Sequence, residues 1–245
     1  MLVVCLPTYD ERENLEPMAR AILDVLEASR LDGRVLVIDD ASPDGTGELA
    51  DRLAAELGSL DVLHRKAKEG LGPAYIAGFR RALESGADLV ATIDCDFSHD
   101  PADLPRLVEA AERAGIGLGS RYVQGGGTRN WGLLRRAVSR GGSLYARAIL
   151  GIPVRDTTSG FKVYRRDVLE GIEPERIESK GYAFQVETVF RALRAGFGVE
   201  EVPILFTDRE EGGSKMGPGI VLEAMVKVPA LRLAAARRRL LGRWL

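Results

Sequence analysis

Residues 89–101, LVATIDCDFSHDP, decide how the chain is read. The first five are an apolar run of the length and composition of a buried strand. Asp94, Asp96, His99 and Asp100 follow at once. Strand alternation would turn Asp94 and Asp96 to one side, with Cys95 opposite. Open α/β sheets bind ligands beyond the carboxyl ends of their strands, and a hard divalent cation favours one or two carboxylates completed by substrate phosphate oxygens. A lone Asp-x-Asp is equally a solvated turn with capping acids, so its surroundings must decide.

Towards the N-terminus the same strand-then-polar-turn unit recurs. Residues 2–6 form an apolar run ended by Pro7, and Leu15, Met18, Ile22, Val25 and Leu26 then recur at helical spacing behind Asn14 as a cap. Residues 34–38 repeat the strand, 39–47 (DDASPDGTG) make a polar turn, and Leu49, Leu53 and Leu57 mark a helix. Residues 60–64, 73–85, 89–93, 103–114 and 116–118 continue the alternation. Strands alternating with helical patterns of this length predict βαβ units and a mainly parallel, Rossmann-like sheet flanked by helices.

After Ser120 the regularity ends. A glycine-rich loop at 124–128 leads into 131–150, where Trp131, Leu134, Val138, Tyr145 and Ile149 mix with Arg135, Arg136, Arg140 and Arg147 in a basic amphipathic segment. Strands are expected at 160–164 and 199–206, with a helix at 184–195 between them. Residues 207–219 are glycine-rich and charged, as in a loop that closes near a ligand. From 220 the chain reads as a basic amphipathic helix interrupted at Pro229.

Composition bounds the function. With 245 residues, 45% of them apolar and 29% charged, the chain can bury one substantial core. A net charge of -2 carries no nucleic-acid signature. Cys5 and Cys95 form neither a disulfide framework nor a zinc pattern, which suits a reducing compartment. No uncharged run exceeds ten residues, against the ~20 needed to span a bilayer, so neither a signal peptide nor a transmembrane segment is expected.

Four polar clusters follow strands: PTYDE (7–11), DDASPDG (39–45), DCDFSHDP (94–101) and GSRY (119–122). In a parallel sheet all four lie at one edge, whereas structural turn acids would be spread over both. Neither Gly-x-Gly-x-x-Gly nor a Walker-type loop follows any strand, which argues against a dinucleotide dehydrogenase or a P-loop NTPase.

Taken with DTTSGFKVYRR (156–166) and FTDREEGGSK (206–215), these clusters resemble, in order and spacing from Val3 to about Lys215, the polyprenyl (dolichyl) phosphate mannosyltransferases. That family comprises inverting glycosyltransferases of the GT-A fold. The resemblance implies a catalytic domain over 1–219 and a C-terminal basic amphipathic helix over 220–245. It implies transfer of mannose from GDP-mannose to a polyprenyl monophosphate, with Mg²⁺ or Mn²⁺ as cofactor. Donor binding falls on Pro7, Tyr9, Glu11, Ile38 and Asp40, on Asp94, Cys95 and Asp96, and on Arg209 and Lys215 of the glycine-rich loop. Asp96 is the implied metal ligand. Ser98 stands where the family often has a metal-binding Gln, and its shorter, neutral hydroxyl leaves direct ligation or a bridging water as alternatives. The acceptor phosphate falls on Arg121, Arg135 and Ser139, which with Asp94 and Asp96 make up the implied catalytic set.

Charge suggests the mechanism. A phosphate monoester has a second pKa near ~6, so the acceptor is already a nucleophile at neutral pH. No general base is then needed, unlike transfer to a sugar hydroxyl. Alternatives that keep the fold are a polyprenyl phosphate glucosyltransferase, another nucleotide-sugar transferase, or a catalytically silent nucleotide-sugar-binding protein. The expected setting is the cytoplasmic face of a membrane, held peripherally and open to a membrane protein partner. After Glu223 there is no acid, and Leu233, Leu240, Leu241 and Trp244 share one helical face among six basic residues from Lys227 onwards. The competing reading is that this face packs on the domain.

Overall fold

The computed structural model describes residues 1–179, 181–208 and 225–235. Arg209, Lys215, most of the glycine-rich loop and tail residues 236–245 therefore lie outside the described residues. The first half runs β1 (Leu2–Thr8), α1 (Arg12–Ala28), β2 (Gly33–Asp39), α2 (Thr46–Leu57), β3 (Leu60–His64), α3 (Leu71–Glu84) and β4 (Leu89–Thr92). It continues through a short 3-10 turn into α4 (Leu104–Ala114), β5 (Gly115–Ser120), β6 (Gly127–Arg129) and α5 (Leu133–Leu150). The remainder is β7 (Lys162–Arg165), α6 (Arg166–Ile172), α7 (Gly181–Arg194), β8 (Gly198–Pro203) and β9 (Leu205–Thr207). A helical stretch at 225–235 follows.

Seven strands form one sheet in the order β3-β2-β1-β4-β7-β5-β8. Every neighbouring pair is parallel except those made by β7, which runs antiparallel between β4 and β5. Alternate residues of each strand feed two apolar layers. Val3, Cys5, Leu36, Ile38 and Val90 pack with α3, α6, α7 and the end of α5. Leu2, Val4, Val35, Val37 and Ala91 pack with α1, α2 and α4. Burial on both faces is why these strands read as continuous apolar runs. At Gly117 a Cβ would stand 2.0 Å from the Leu107 carbonyl, so glycine lets α4 lie directly on β5.

The sheet departs from the expected one in three places. β1 runs through Pro7 to Thr8, because its β4 partner already ends opposite Cys5 and the missing proline N–H interrupts no ladder there. The strand expected over 199–206 is two strands in different sheets, β8 in the main one and β9 paired with β6 in a second. Part of the expected 124–128 loop is therefore strand. Finally, β4 stops at Thr92, so Asp94, Cys95 and Asp96 occupy a turn and the expected alternation does not govern them.

The stretch at 225–235 docks on the domain as far as it is described. Val228 is buried in the core, with Leu231 and Ala235 packed against it. Tyr145 donates to the Met225 carbonyl at 3.0 Å, and Arg232 donates to the Leu150 carbonyl that ends α5 at 2.9 Å.

Candidate active site

Because β1, β2, β4 and β5 are mutually parallel, the four polar clusters meet at one edge of the sheet. The antiparallel β7 begins where its neighbours end, so the loop before it, with Asp156, Thr158 and Gly160, joins the same edge. Three of these turns need a non-glycine residue at positive φ: Asp10 at 56°, Ala41 at 57° and Phe97 at 54°. Asp tolerates that region, which suits it to position 10. Such backbone is uncommon enough that its concentration at one edge marks a shaped site.

A cleft of about 260 Å³ opens there. Pro7, Thr8, Tyr9, Glu11 and Asp40 line one part, Asp94, Cys95 and Asp96 the middle, and Thr158, Gly160 and Gln185 the other part. Seven of the sequence-predicted donor residues thus come together. Ile38 does not join them, since its side chain is fully buried in the core beside Gly78.

The turns are held by their own acids. Asp39 accepts from the Ser42 amide and hydroxyl, and Asp44 accepts from the Thr46 amide and hydroxyl and from the Arg12 amide. These two acids are structural. Asp40 instead pairs with Arg65, which also holds Glu69, and Lys68 stands 3.5 Å from the centre of the Tyr9 ring. The sequence reading missed Arg65 and Lys68. Their signal was RKAKEG (65–70), a basic turn following β3 at the same edge.

In the middle, Asp94 accepts from the Tyr75 hydroxyl of α3 at 3.2 Å, and Asp96 accepts from the Ser98 amide at 3.0 Å. The Ser98 hydroxyl is buried with no hydrogen-bond partner among the described residues. Burial pushes the Cys5 and Cys95 thiols well up, so both behave as small apolar groups. Among the described residues no cluster of three or more His, Cys, Asp or Glu could hold a metal alone. Two neighbouring carboxylates, as at Asp94 and Asp96, suit a hard cation only where it shares its shell with substrate oxygens.

The predicted acceptor residues form a second cluster. The Arg121 guanidinium is buried and donates twice to Asp156, with a third bond at 2.8 Å to Thr158 of the cleft. It also lies 5.2 Å from the Tyr122 ring centre and 5.4 Å from those of Trp131 and Phe206. Arg135 stands 4.5 Å from the Trp131 ring centre and pairs with Asp208, and the Tyr122 hydroxyl donates to Ser139 at 2.7 Å. Arginines beside aromatic rings are thus joined to the carboxylate-lined cleft through Thr158.

His99 closes the space beneath, between Phe161 and Phe206 with ring centres 5.4 and 5.0 Å away. Burial, reinforced by the Arg121 charge, lowers its imidazole to about 4. The unfolded chain binds this proton near ~6.5, and the folded chain excludes it down to about 4. Stability is therefore expected to fall as pH drops through that window, by up to ~3 kcal/mol. Thermal melts from pH 7 to pH 4 should show the decline, and His99→Gln should flatten it; an unchanged slope in the variant would remove His99 as the cause.

A family model described as glycosyl transferase family 2 matches residues 3–172. An undecaprenyl-phosphate mannosyltransferase of Micrococcus luteus is 50% identical over 96% of this chain and 95% of its own. A polyprenol monophosphomannose synthase of Mycolicibacterium smegmatis is 46% identical over 92% of this chain and 84% of its own. In fold, the chain is similar to glucosyl-3-phosphoglycerate synthase of Mycobacterium tuberculosis, solved with Mn²⁺, UDP and phosphoglyceric acid. That structure has a TM-score of 0.66 at 18% identity, over 95% of this chain and 78% of that one. The chain belongs to glycosyl transferase family 2, and within it to the family of these two mannosyltransferases.

Proposed function

We propose that the protein transfers mannose from GDP-mannose to a polyprenyl monophosphate with inversion at the sugar, giving a polyprenyl phosphate β-mannose. The observation that carries this reading is the Arg121–Thr158 bond, which joins an arginine-aromatic cluster to a carboxylate-lined cleft. The two relatives, named for mannose and a polyprenyl phosphate, support the same substrates.

Tyr9, Asp40 and Lys68 would hold the nucleoside, the carboxylate suiting the N–H donors of guanine. Asp96, with Asp94 beside it, would hold Mg²⁺ or Mn²⁺, and the ion would neutralise the leaving diphosphate. Arg209 and Lys215, outside the described residues, are proposed for the same diphosphate. Ser98 would reach the ion through a water, which would satisfy its unpartnered hydroxyl. Arg135 would exchange Asp208 for the acceptor phosphate, Arg121 and Ser139 would orient it, and its dianion would attack opposite the leaving group without a base. His99, buried and neutral near pH 7, serves as packing rather than as that base.

The test is a transfer assay offering GDP-mannose, GDP-glucose and UDP-glucose to one polyprenyl phosphate, with and without EDTA. EDTA-sensitive mannosyl transfer is expected. Preference for a glucosyl donor, or turnover indifferent to EDTA, would overturn the donor or the metal assignment.

The acceptor's lipid tail calls for a membrane surface, and we place the protein peripherally at the cytoplasmic face. Among the described residues no helix is long and apolar enough to cross a membrane. On α5, Leu133 and Leu134 are 84% and 79% exposed, and Leu144 is also exposed. The adjoining 225–235 stretch exposes Met225, Val226 and Leu233. An apolar face beside Arg136 and Arg140 suits an anionic leaflet. Leu133→Glu combined with Leu134→Glu should reduce sedimentation with anionic liposomes at least roughly tenfold, since two exposed leucines are worth a few kcal/mol on burial. GDP affinity should not change. Undiminished liposome binding would move the contact elsewhere.

A further inference from the structure

The cleft ends on a buried cation. Lys162, the first residue of β7, sits opposite Thr92 in the sheet and is fully buried. Its ammonium donates to the Gln185 side-chain oxygen Oε1 and, at 3.3 Å, to the Gln185 backbone carbonyl. An ammonium can only donate, so Oε1 must face Lys162 and Nε2 must face away from it. Burial lowers the ammonium to about 7 while Asp156 and Asp94 oppose the shift, a cost that an apolar residue here would not carry.

Gln185 lines the cleft although it is only 2% exposed, and its Nε2 has no hydrogen-bond partner among the described residues. Leaving such a donor unpaired and buried is destabilising. The space beside it is kept open by Gly160, where a Cβ would stand 3.7 Å from Gln185 Nε2 and 3.2 Å from Asp94 Oδ2. An amide donor and a carboxylate acceptor thus flank one gap. A sugar hydroxyl, which accepts one hydrogen bond and donates another, matches that pair. The position is also right. Asp40 follows β2 and Gly160 precedes β7, three strand spacings away, or roughly 14 Å. That is about the reach from a base across ribose and diphosphate to the hexose.

We propose that Gln185, aimed by Lys162 across the gap at Gly160, is a specificity-determining contact to one ring hydroxyl of the donor's hexose, with Lys162 as its positioning residue. The proposal rests on the nucleotide-sugar reading above. It adds a hexose-recognising group to the carboxylates of the sheet edge.

The test uses the full chain and whichever of GDP-mannose, GDP-glucose or UDP-glucose the unaltered protein turns over. Gln185→Leu should lower kcat/KM for that donor about 10- to 100-fold. The Kd of the free nucleoside diphosphate, measured by calorimetry, and the KM of the polyprenyl phosphate should stay within about threefold. With donor analogues each lacking one ring hydroxyl, the unaltered protein should discriminate strongly against one of them, and Gln185→Leu should lose that discrimination alone. Gly160→Ala should reproduce the pattern should Gln185→Leu fail to fold. Lys162→Gln, still able to donate to Oε1, should retain more donor kcat/KM than Lys162→Leu. Equal loss of nucleotide and sugar binding would make Gln185 a structural residue, and undiminished discrimination would assign its nitrogen to a trapped water; either overturns the proposal. Failure of the unaltered protein to turn over any of the three donors would instead overturn the function on which the proposal rests.

Discussion

Asp96→Ala should lower mannosyl transfer about 10³-fold at saturating Mg²⁺ or Mn²⁺ while leaving the fold intact. A metal ligand at a developing diphosphate charge is worth several kcal/mol in the transition state. Its structural work is smaller. The carboxylate is half-buried in a turn, where it accepts from the Ser98 amide as a capping residue does, and losing such a contact costs about 0.5–2 kcal/mol. Asp96→Asn separates the two roles, since the amide oxygen can still accept from Ser98 while the charge is gone. Asp96→Asn should melt close to the unaltered protein and still fail to transfer. Full turnover in this variant, with its circular dichroism unchanged, would show that Asp96 does not carry the ion.

Much of this site was legible because burial writes itself into strand composition. Residues 2–6 and 35–38 are apolar throughout and 89–93 apolar but for Thr92, since both sheet faces are covered, and the polar cluster that follows each run marks the sheet's edge. What stayed hidden depends on direction and partnership, which periodicity does not encode. The stretch 160–164 reads as a strand, but only the tertiary structure turns it antiparallel and so brings Asp156, Thr158 and Gly160 to the site. Lys162 within that strand gave no sign that its ammonium ends on Gln185, 23 residues on. Asp39, Asp40 and Asp44 look alike in DDASPDG, yet two tie turns and one faces the cleft. The difference lies in which donors reach each carboxylate. Pro203 shows the converse. β8 ends at Pro203 and the chain continues in a second sheet, so the proline within VPILF (202–206) was a local signal of the break.

The second large effect is expected at Asp156, whose carboxylate is fully buried and takes the Arg121 backbone amide at 2.9 Å as well as its guanidinium. Burial alone would raise this carboxyl, but the Arg121 charge and hydrogen bonds outweigh it and hold the group below the usual range. Its contribution to stability is therefore present above the unfolded carboxylate pKa near ~4 and is lost as pH falls through the folded value. Asp156→Ala strands a buried guanidinium and should cost about 3–5 kcal/mol. Replacing the pair by apolar residues, Asp156→Leu with Arg121→Met, removes both charges together and should recover most of that loss, because a buried ion pair contributes little beyond offsetting its own desolvation. Transfer should not recover with it. Arg121 is the link between the aromatic cluster and Thr158 of the cleft, and a thioether supplies no donor to a phosphate. The double variant should thus melt near the unaltered protein and remain at least 10²-fold slower, with the KM for polyprenyl phosphate raised more than that for GDP-mannose. Recovery of transfer together with the melting temperature would reduce Arg121 to the structural half of an ion pair.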